Sequence, residues 1–251
     1  MRSTSRLVPI AGLLATVALT LPTASPAQSS GDGFLFEPPS VVLNLHGGYS
    51  RPDAGSEFFS FVTDLLTLGK RDFHGLAVGG TLSVPLSSRL DASVSSTYSG
   101  RVSDSEFRDW IGGDDLPIEQ STRFERVPVT ASAKLHLRPR GRSVGSLAWV
   151  PNRYAPYLGA GGGAVWYRFV QQGEFVDFED ESVFADELDS SGWAPAAQAF
   201  AGVEFSLSPR IAVTTEASYL WASTKLQGDF IDFDRIDLSG FSATAGLSLR
   251  L

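Results

Sequence analysis

Apolar residues recur at every second position in eight separate stretches of this chain, a period that reads as strand rather than helix. In "VVLNLHGGY", Val41, Leu43, Leu45 and Tyr49 alternate with Asn44, His46 and Gly48. In "FHGLAVGGTLSVP", Leu76, Val78, Leu82 and Val84 alternate with Gly75, Ala77, Gly79, Thr81 and Ser83. "LDASVSSTYSGRV" sets Leu90, Ala92, Val94, Tyr98 and Val102 against Asp91, Ser93, Ser95, Thr97, Ser99 and Arg101. "RVPVTASAKLHL" sets Val127, Val129, Ala131, Ala133, Leu135 and Leu137 against Thr130, Ser132, Lys134 and His136. The fifth stretch, "YAPYLGAGGGAVWYRF", is too rich in glycine to show its register. The sixth opposes Ala197, Ala199, Ala201, Val203, Phe205 and Leu207 to Gln198, Gly202, Glu204 and Ser206. The seventh opposes Ile211, Val213, Ala217, Tyr219 and Trp221 to Ala212, Thr214, Glu216 and Ser218. The last, "SGFSATAGLSLRL", alternates to the final residue, Leu251.

Each stretch suits the ~9–11 residues that a tilted strand needs to cross a bilayer, or slightly exceeds it. The connections alternate too. "LSSRL" and "SPR" are tight, whereas residues 50–72, 103–122, 170–192 and 222–237 form long loops, and "RPRGRSVGSLAWVPNR" is a longer exception on the short side. Eight strands with this layout predict an all-β protein, an antiparallel up-and-down transmembrane barrel spanning residues 41–251. In the first long loop, Phe58, Val62, Leu65 and Leu66 fall at helical spacing, so a short helix is expected at the barrel mouth.

The face opposite the apolar stripes decides which way the barrel points. A soluble calyx would show water Lys, Glu and Asp, but here that face is mostly Gly, Ala, Ser and Thr. Small polar residues suit the narrow interior of eight strands. The bulky stripes therefore face lipid. An ionised residue there would cost about 2–4 kcal/mol near the midplane, and the clearer stripes contain none between their ends. Only a closed barrel leaves no unpaired edge in hydrocarbon, so the last strand must pair with the first.

Composition sharpens this. Arg2 and Arg6 precede an apolar run, and small residues follow it, so residues 1–27 are expected to be an export signal cut after Ala27, with 28–40 a short lead-in. Removing those two arginines moves the net charge from −8 to −10, which argues against a nucleic-acid partner. There is no cysteine, so disulfides contribute nothing. The short connections are rich in arginine: Arg89, Arg138, Arg140, Arg142, Arg153 and Arg210. The long ones are acidic, above all the loop with Glu174, Asp177, Glu179, Asp180, Glu181, Asp186, Glu187 and Asp189. Such a loop could recruit divalent cations or bridge to anionic lipopolysaccharide, although it lacks the ligand order of an EF-hand and is more simply a solvated face.

Charges on the small-residue face must be paired inside so narrow a lumen. Asn44, His46, Asp91, Lys134, His136, Glu204, Glu216 and Arg250, with Arg168 beside them, form the expected polar network, and Glu204 or Glu216 is expected to pair with Lys134 or Arg250. Tyr49, Tyr98, Trp166, Tyr167, Trp193, Tyr219 and Trp221 are expected to form an outer aromatic girdle. Two motif matches carry no chemistry. "GRSVG" lacks the strand-to-helix turn of a nucleophile elbow, and "GAGGGA" runs into "VWYRF", a strand, rather than a phosphate-binding helix. Among the histidines, only His74 is placed at the outer rim, where a barrel enzyme would need one. No catalytic residue, metal or cofactor is assigned.

With "PYLGAGGGAVWYRF", eight strands and the closing tail on view, the chain resembles the outer-membrane β-barrel domain family. This is the small porin-like group around the outer-membrane protein A barrel and the eight-stranded X and W types. The resemblance implies residence in the outer membrane of a Gram-negative-type bacterium, contact with its lipid and lipopolysaccharide, and assembly by the barrel-insertion machinery. That machinery usually reads a terminal Phe, where this chain has Leu251. The functional expectation is a monomeric, non-enzymatic surface protein with a filled lumen. Transport of small apolar solutes and lipid modification are the alternatives.

Overall fold

A computed structural model of the chain describes residues 33–112, 116–145, 147–176 and 182–251. The expected export signal lies outside the described residues, as do Asp177, Glu179, Asp180 and Glu181. In order, the elements are β1 (Val42–Pro52), α1 (Glu57–Leu65), β2 (Gly75–Pro85), β3 (Leu90–Ile111), β4 (Pro117–His136) and the short hairpin β5 (Gly141–Val144) and β6 (Ala148–Pro151). Then come β7 (Tyr154–Val176), β8 (Val183–Ser206), β9 (Ile211–Thr224), β10 (Ile236–Asp237) and β11 (Gly240–Arg250).

Eight of these close into a ring. The order runs β1-β2-β3-β4-β7-β8-β9-β11, and β11 returns to β1 in an antiparallel register from Val42↔Arg250 to Pro52↔Gly240. The tail is the closing stave, and the edge problem disappears with it. Two serines set the tight turns at the inner end: Ser87 Oγ accepts from Leu90 N at 3.0 Å, and Ser208 Oγ accepts from Ile211 N at 3.1 Å.

Orientation follows the alternation. Val78, Leu247 and Val129 are 62 %, 59 % and 40 % exposed and face outward, while Ser93, Thr130 and Ser248 on the opposite parity are buried. A water-facing belt of this kind would be unfavourable at about 25 cal/mol per Å². Surrounded by acyl chains it costs nothing, so the strands span a membrane.

Four features depart from the sequence reading. Residues 103–122 and 170–192 are largely strand rather than loop, because β3, β4, β7 and β8 run for 22, 20, 23 and 24 residues. Cross-strand pairing continues from Arg101↔Phe124 to Glu106↔Glu119 and from Val170↔Asp189 to Val176↔Val183. Second, the long inner connection is itself a hairpin, β5–β6, tied to the lead-in by Leu35 N→Trp149 O at 2.8 Å and Trp149 N→Leu35 O at 2.6 Å. Third, the axis is not lined by small residues throughout: its outer end is aromatic. Fourth, Tyr167 does not join the girdle; it is buried, facing inward against Ser190 Oγ at 3.1 Å.

Glycine explains how large rings enter a narrow barrel. Tyr157 pairs with Gly202 and Phe200 with Gly159, all on the inward face of the β7–β8 pair. A Cβ on Gly159 would sit 2.3 Å from the Phe200 ring, and one on Gly202 would sit 2.6 Å from Tyr157 Oη. Each ring lies over a bare backbone that its own bulk would otherwise exclude.

Candidate functional site

The lumen is built in layers. At its inner end, Arg250 on β11 donates to Glu204 on β8 and to Ser206 Oγ at 2.8 Å, and its guanidinium lies 5.7 Å from the Trp149 ring. Both charges are buried, so each is held by its partner and by hydrogen bonds rather than by water. Beside them, Asp91 on β3 lies 3.0 Å from His136 Nε2 on β4 and 3.1 Å from Arg140 Nη2. Arg140 departs from the sequence reading. The sequence places it among the arginines of the short connections, but the inner connection folds it back into the barrel mouth, where it is 6 % exposed.

One layer further out, Asn44 Nδ2 donates to Thr214 Oγ1 at 2.8 Å and to Ser248 Oγ at 3.0 Å. His46 bridges Asn44 Oδ1 and Thr97 Oγ1, both at 3.0 Å. Tyr157 donates to Glu216 Oε2 at 3.0 Å, and Lys134 Nζ stands 4.5 Å over the Tyr157 ring. Two small cavities lie along this stretch, of about 20 Å³ beside Lys134 and about 50 Å³ between His46 and Arg126. At roughly 10–15 Å³ per water centre, they have room for a few water molecules rather than a continuous column.

Arg126 forms the next layer, and sequence reading missed it. It is buried, donating to Ser239 O at 3.1 Å and to Ser50 Oγ at 2.9 Å, with a further bond to Leu238 O. Its alternation with Phe124 and Pro128 marked it as inward, but it sat at the edge of the fourth stretch, where the apolar stripe was being counted. Tyr157 was likewise obscured, by the glycine run around it. Arg168 moves the other way: it alternates with the buried Tyr167 and Phe169 and so faces outward.

Above Arg126 the lumen is filled with aromatic side chains. Phe58 and Phe59 of α1, Phe73, Phe124, Phe169 and Phe230 are all buried and meet edge-on, with ring centroids 4.8 Å apart for Phe58–Phe169 and 5.0 Å for Phe59–Phe73. The helix expected from Phe58, Val62, Leu65 and Leu66 thus reaches into the barrel mouth and plugs it.

On the outer rim, Tyr49 Oη and His74 Nδ1 are 3.0 Å apart, Tyr98 donates to Glu125 at 2.9 Å, and Tyr219 and Trp221 pack at 4.7 Å. Partial burial, then Arg51 and Arg71, lower the His74 pKa below its ordinary value, partly offset by Asp72. Asp72 Oδ2 accepts from Gly69 N at 2.8 Å. Of the acidic stretch, Glu174, Asp186, Glu187 and Asp189 lie along the β7–β8 extension, with Asp189 N bonded to Asp229 at 2.8 Å. Among the described residues, no group of three or more His, Asp or Glu is placed to hold a metal ion.

No protein-family model and no curated protein matches the chain. Several solved structures are similar to it. They include the outer membrane protein OprG from Pseudomonas aeruginosa (12% identity, 86% of this chain and 99% of that one, TM-score 0.48). Neisserial surface protein A is another (12% identity, 88% and 98%, TM-score 0.45). A third is Ail, the attachment invasion locus protein of Yersinia pestis, in complex with the heparin analogue sucrose octasulfate (13% identity, 85% and 100%, TM-score 0.43).

Proposed function

We propose that this chain is a non-conducting, non-enzymatic barrel of the outer membrane whose work is done by its outward extensions, in surface interaction or envelope structure. One observation carries the reading: the lumen is closed twice. Among the described residues, the aromatic plug under α1 fills the outer end and the β5–β6 hairpin with Trp149 covers the inner end, with two small cavities between. A barrel built to pass solutes would not fill its axis with buried ion pairs and phenylalanines. What it offers instead is reach. β3, β4, β7 and β8 each carry roughly ten residues more than a crossing needs, about 30 Å of strand beyond the belt. Planar-bilayer recording of the refolded protein tests this directly. Baseline current with rare flickers is expected; steady large openings would refute the closed lumen. Loss of lipid hydrolysis in His74→Ala, starting from measurable turnover, would instead point to an enzyme.

A second reading, capture of a small apolar solute, has one feature in its favour. A groove of about 260 Å³ at the outer end is lined by Phe61, Leu65, Phe175, Phe184 and Phe233. Saturable fluorescence of N-phenylnaphthylamine that weakens in Phe233→Ser would support it. Linear, unsaturable uptake would discard it.

A further inference from the structure

The inner mouth carries a compartment that a closed barrel does not need. The lead-in, the β2–β3 turn and the β5–β6 hairpin enclose a pocket of about 470 Å³, a size typical of small-ligand sites. Prolines 38, 39, 85 and 139, with Leu86 and Trp149, give it apolar walls. Among the described residues, its charged groups are Arg140 and Arg142, with no carboxylate in its lining.

Arg140 forms the floor, since it also lines the small lumen cavity on the other side. It commits Nη2 to Asp91 Oδ1 at 3.1 Å, while Nε and Nη1 find no protein acceptor. A buried N–H of a charged group left without an acceptor is costly. Two on one side chain that also lines this pocket, where Arg142 adds a second positive charge, point to an acceptor from outside the chain. Arg142 stands exposed at the rim of the same pocket.

We propose that this pocket is a binding site for an oxyanion, carboxylate or phosphate, carried on an apolar group. Arg140 and Arg142 meet the anion, and Trp149 with the proline walls covers the apolar part. Guanidinium forks match both anions in bidentate geometry. Two sources offer that chemistry at this end of the barrel: the phosphate of an inner-leaflet phospholipid, and a soluble carboxylate on the periplasmic side.

The test uses the full chain folded in maltoside micelles, which contain no phosphate, labelled with 5-fluorotryptophan. The Trp149 resonance is assigned from Trp149→Phe. Sodium benzoate and dihexanoylphosphatidylglycerol are titrated separately. A saturable shift of Trp149 is expected with one or both, the stronger titrant identifying the source, and Arg142→Ala should weaken it at least tenfold. Because Arg140→Gln alone strands Asp91 and could unfold the mouth, the second variant is the charge-balanced Arg140→Gln with Asp91→Asn, which should also lose the shift. Three results would overturn the site: no saturable shift with either titrant, equal movement of all five tryptophan resonances, or a shift undiminished in both variants. None of these bears on conductance, so the site can fail while the closed-lumen reading stands.

Discussion

At Arg250 the side chain is 1 % exposed and its guanidinium serves both Glu204 and Ser206. Removing one member of such a pair leaves an uncompensated charge, whereas replacing both with apolar groups is far less harmful. Arg250→Met should therefore lower the unfolding free energy in urea by about 3–5 kcal/mol, and adding Glu204→Met should recover most of that loss. Additive losses in the double variant would show that the two side chains are not coupled. His74 lies outside the strands and makes a smaller claim. Its partial burial and the nearby Arg51 and Arg71 favour the neutral imidazole in the fold, so its contribution is complete above pH 6.5 and fades as the pH falls below that value. An NMR titration should place its midpoint below 6.5, and Arg71→Gln should raise it. A midpoint above 6.5 would mean that Asp72 dominates.

At the scale of elements, α1 shows how packing makes structure that propensity alone would not. Nine residues are too few for a stable isolated helix, and this one has no side-chain bond at its N-cap. It persists because Phe58, Phe59 and Val62 enter the aromatic core at the mouth. Phe58→Ala, at about 3–5 kcal/mol for a buried ring, should exceed what the helix can lose. Amide exchange is expected to rise across Glu57–Leu65 while β1 and β11 stay protected. Uniform loss of protection would instead make α1 part of the barrel's own cooperative unit. The long hairpins follow a similar logic. Phe107 and Ile118, close to the tip of β3–β4, pack back onto that core, and Thr67 N donates to Glu106 O at 2.8 Å, so the hairpin is tied down well beyond its base.

At the scale of the whole molecule, stability depends on two media meeting two faces. Leu247 stands midway along β11 on the outer face, 59 % exposed, and Leu86 stands at the inner turn. Leu247→Arg should cost about 2–4 kcal/mol for folding into phosphatidylcholine vesicles, and Leu86→Arg about 0–1 kcal/mol, since the penalty falls towards the interface. Equal penalties at both positions would argue that the belt does not face acyl chains. The inner end, rich in arginine, and the acidic outer hairpin β7–β8 add an axial charge asymmetry to this radial one.

Strand identity, face and closure were legible in the residues because a period of two is a local rule: each apolar side chain needs only its own strand to declare which way it points. The same rule placed Asn44, His46, Asp91, Lys134, His136, Glu204, Glu216 and Arg250 on the inward face. Local rules say nothing about how far a strand continues beyond the membrane, because past the belt Glu106↔Glu119 or Gly173↔Asp186 can pair without any apolar stripe to announce it. Nor could they find Arg140, whose burial depends on a hairpin folding back over the mouth, or Tyr157 and Phe200, whose room is made by glycines on the neighbouring strand. Outside the glycine-rich fifth stretch, where Tyr167 and Arg168 face opposite to expectation, the chain alone determined which residues face lipid and which face the axis. Only the closed ring decided what fills that axis, since the space available at each height depends on side chains arriving from eight strands at once.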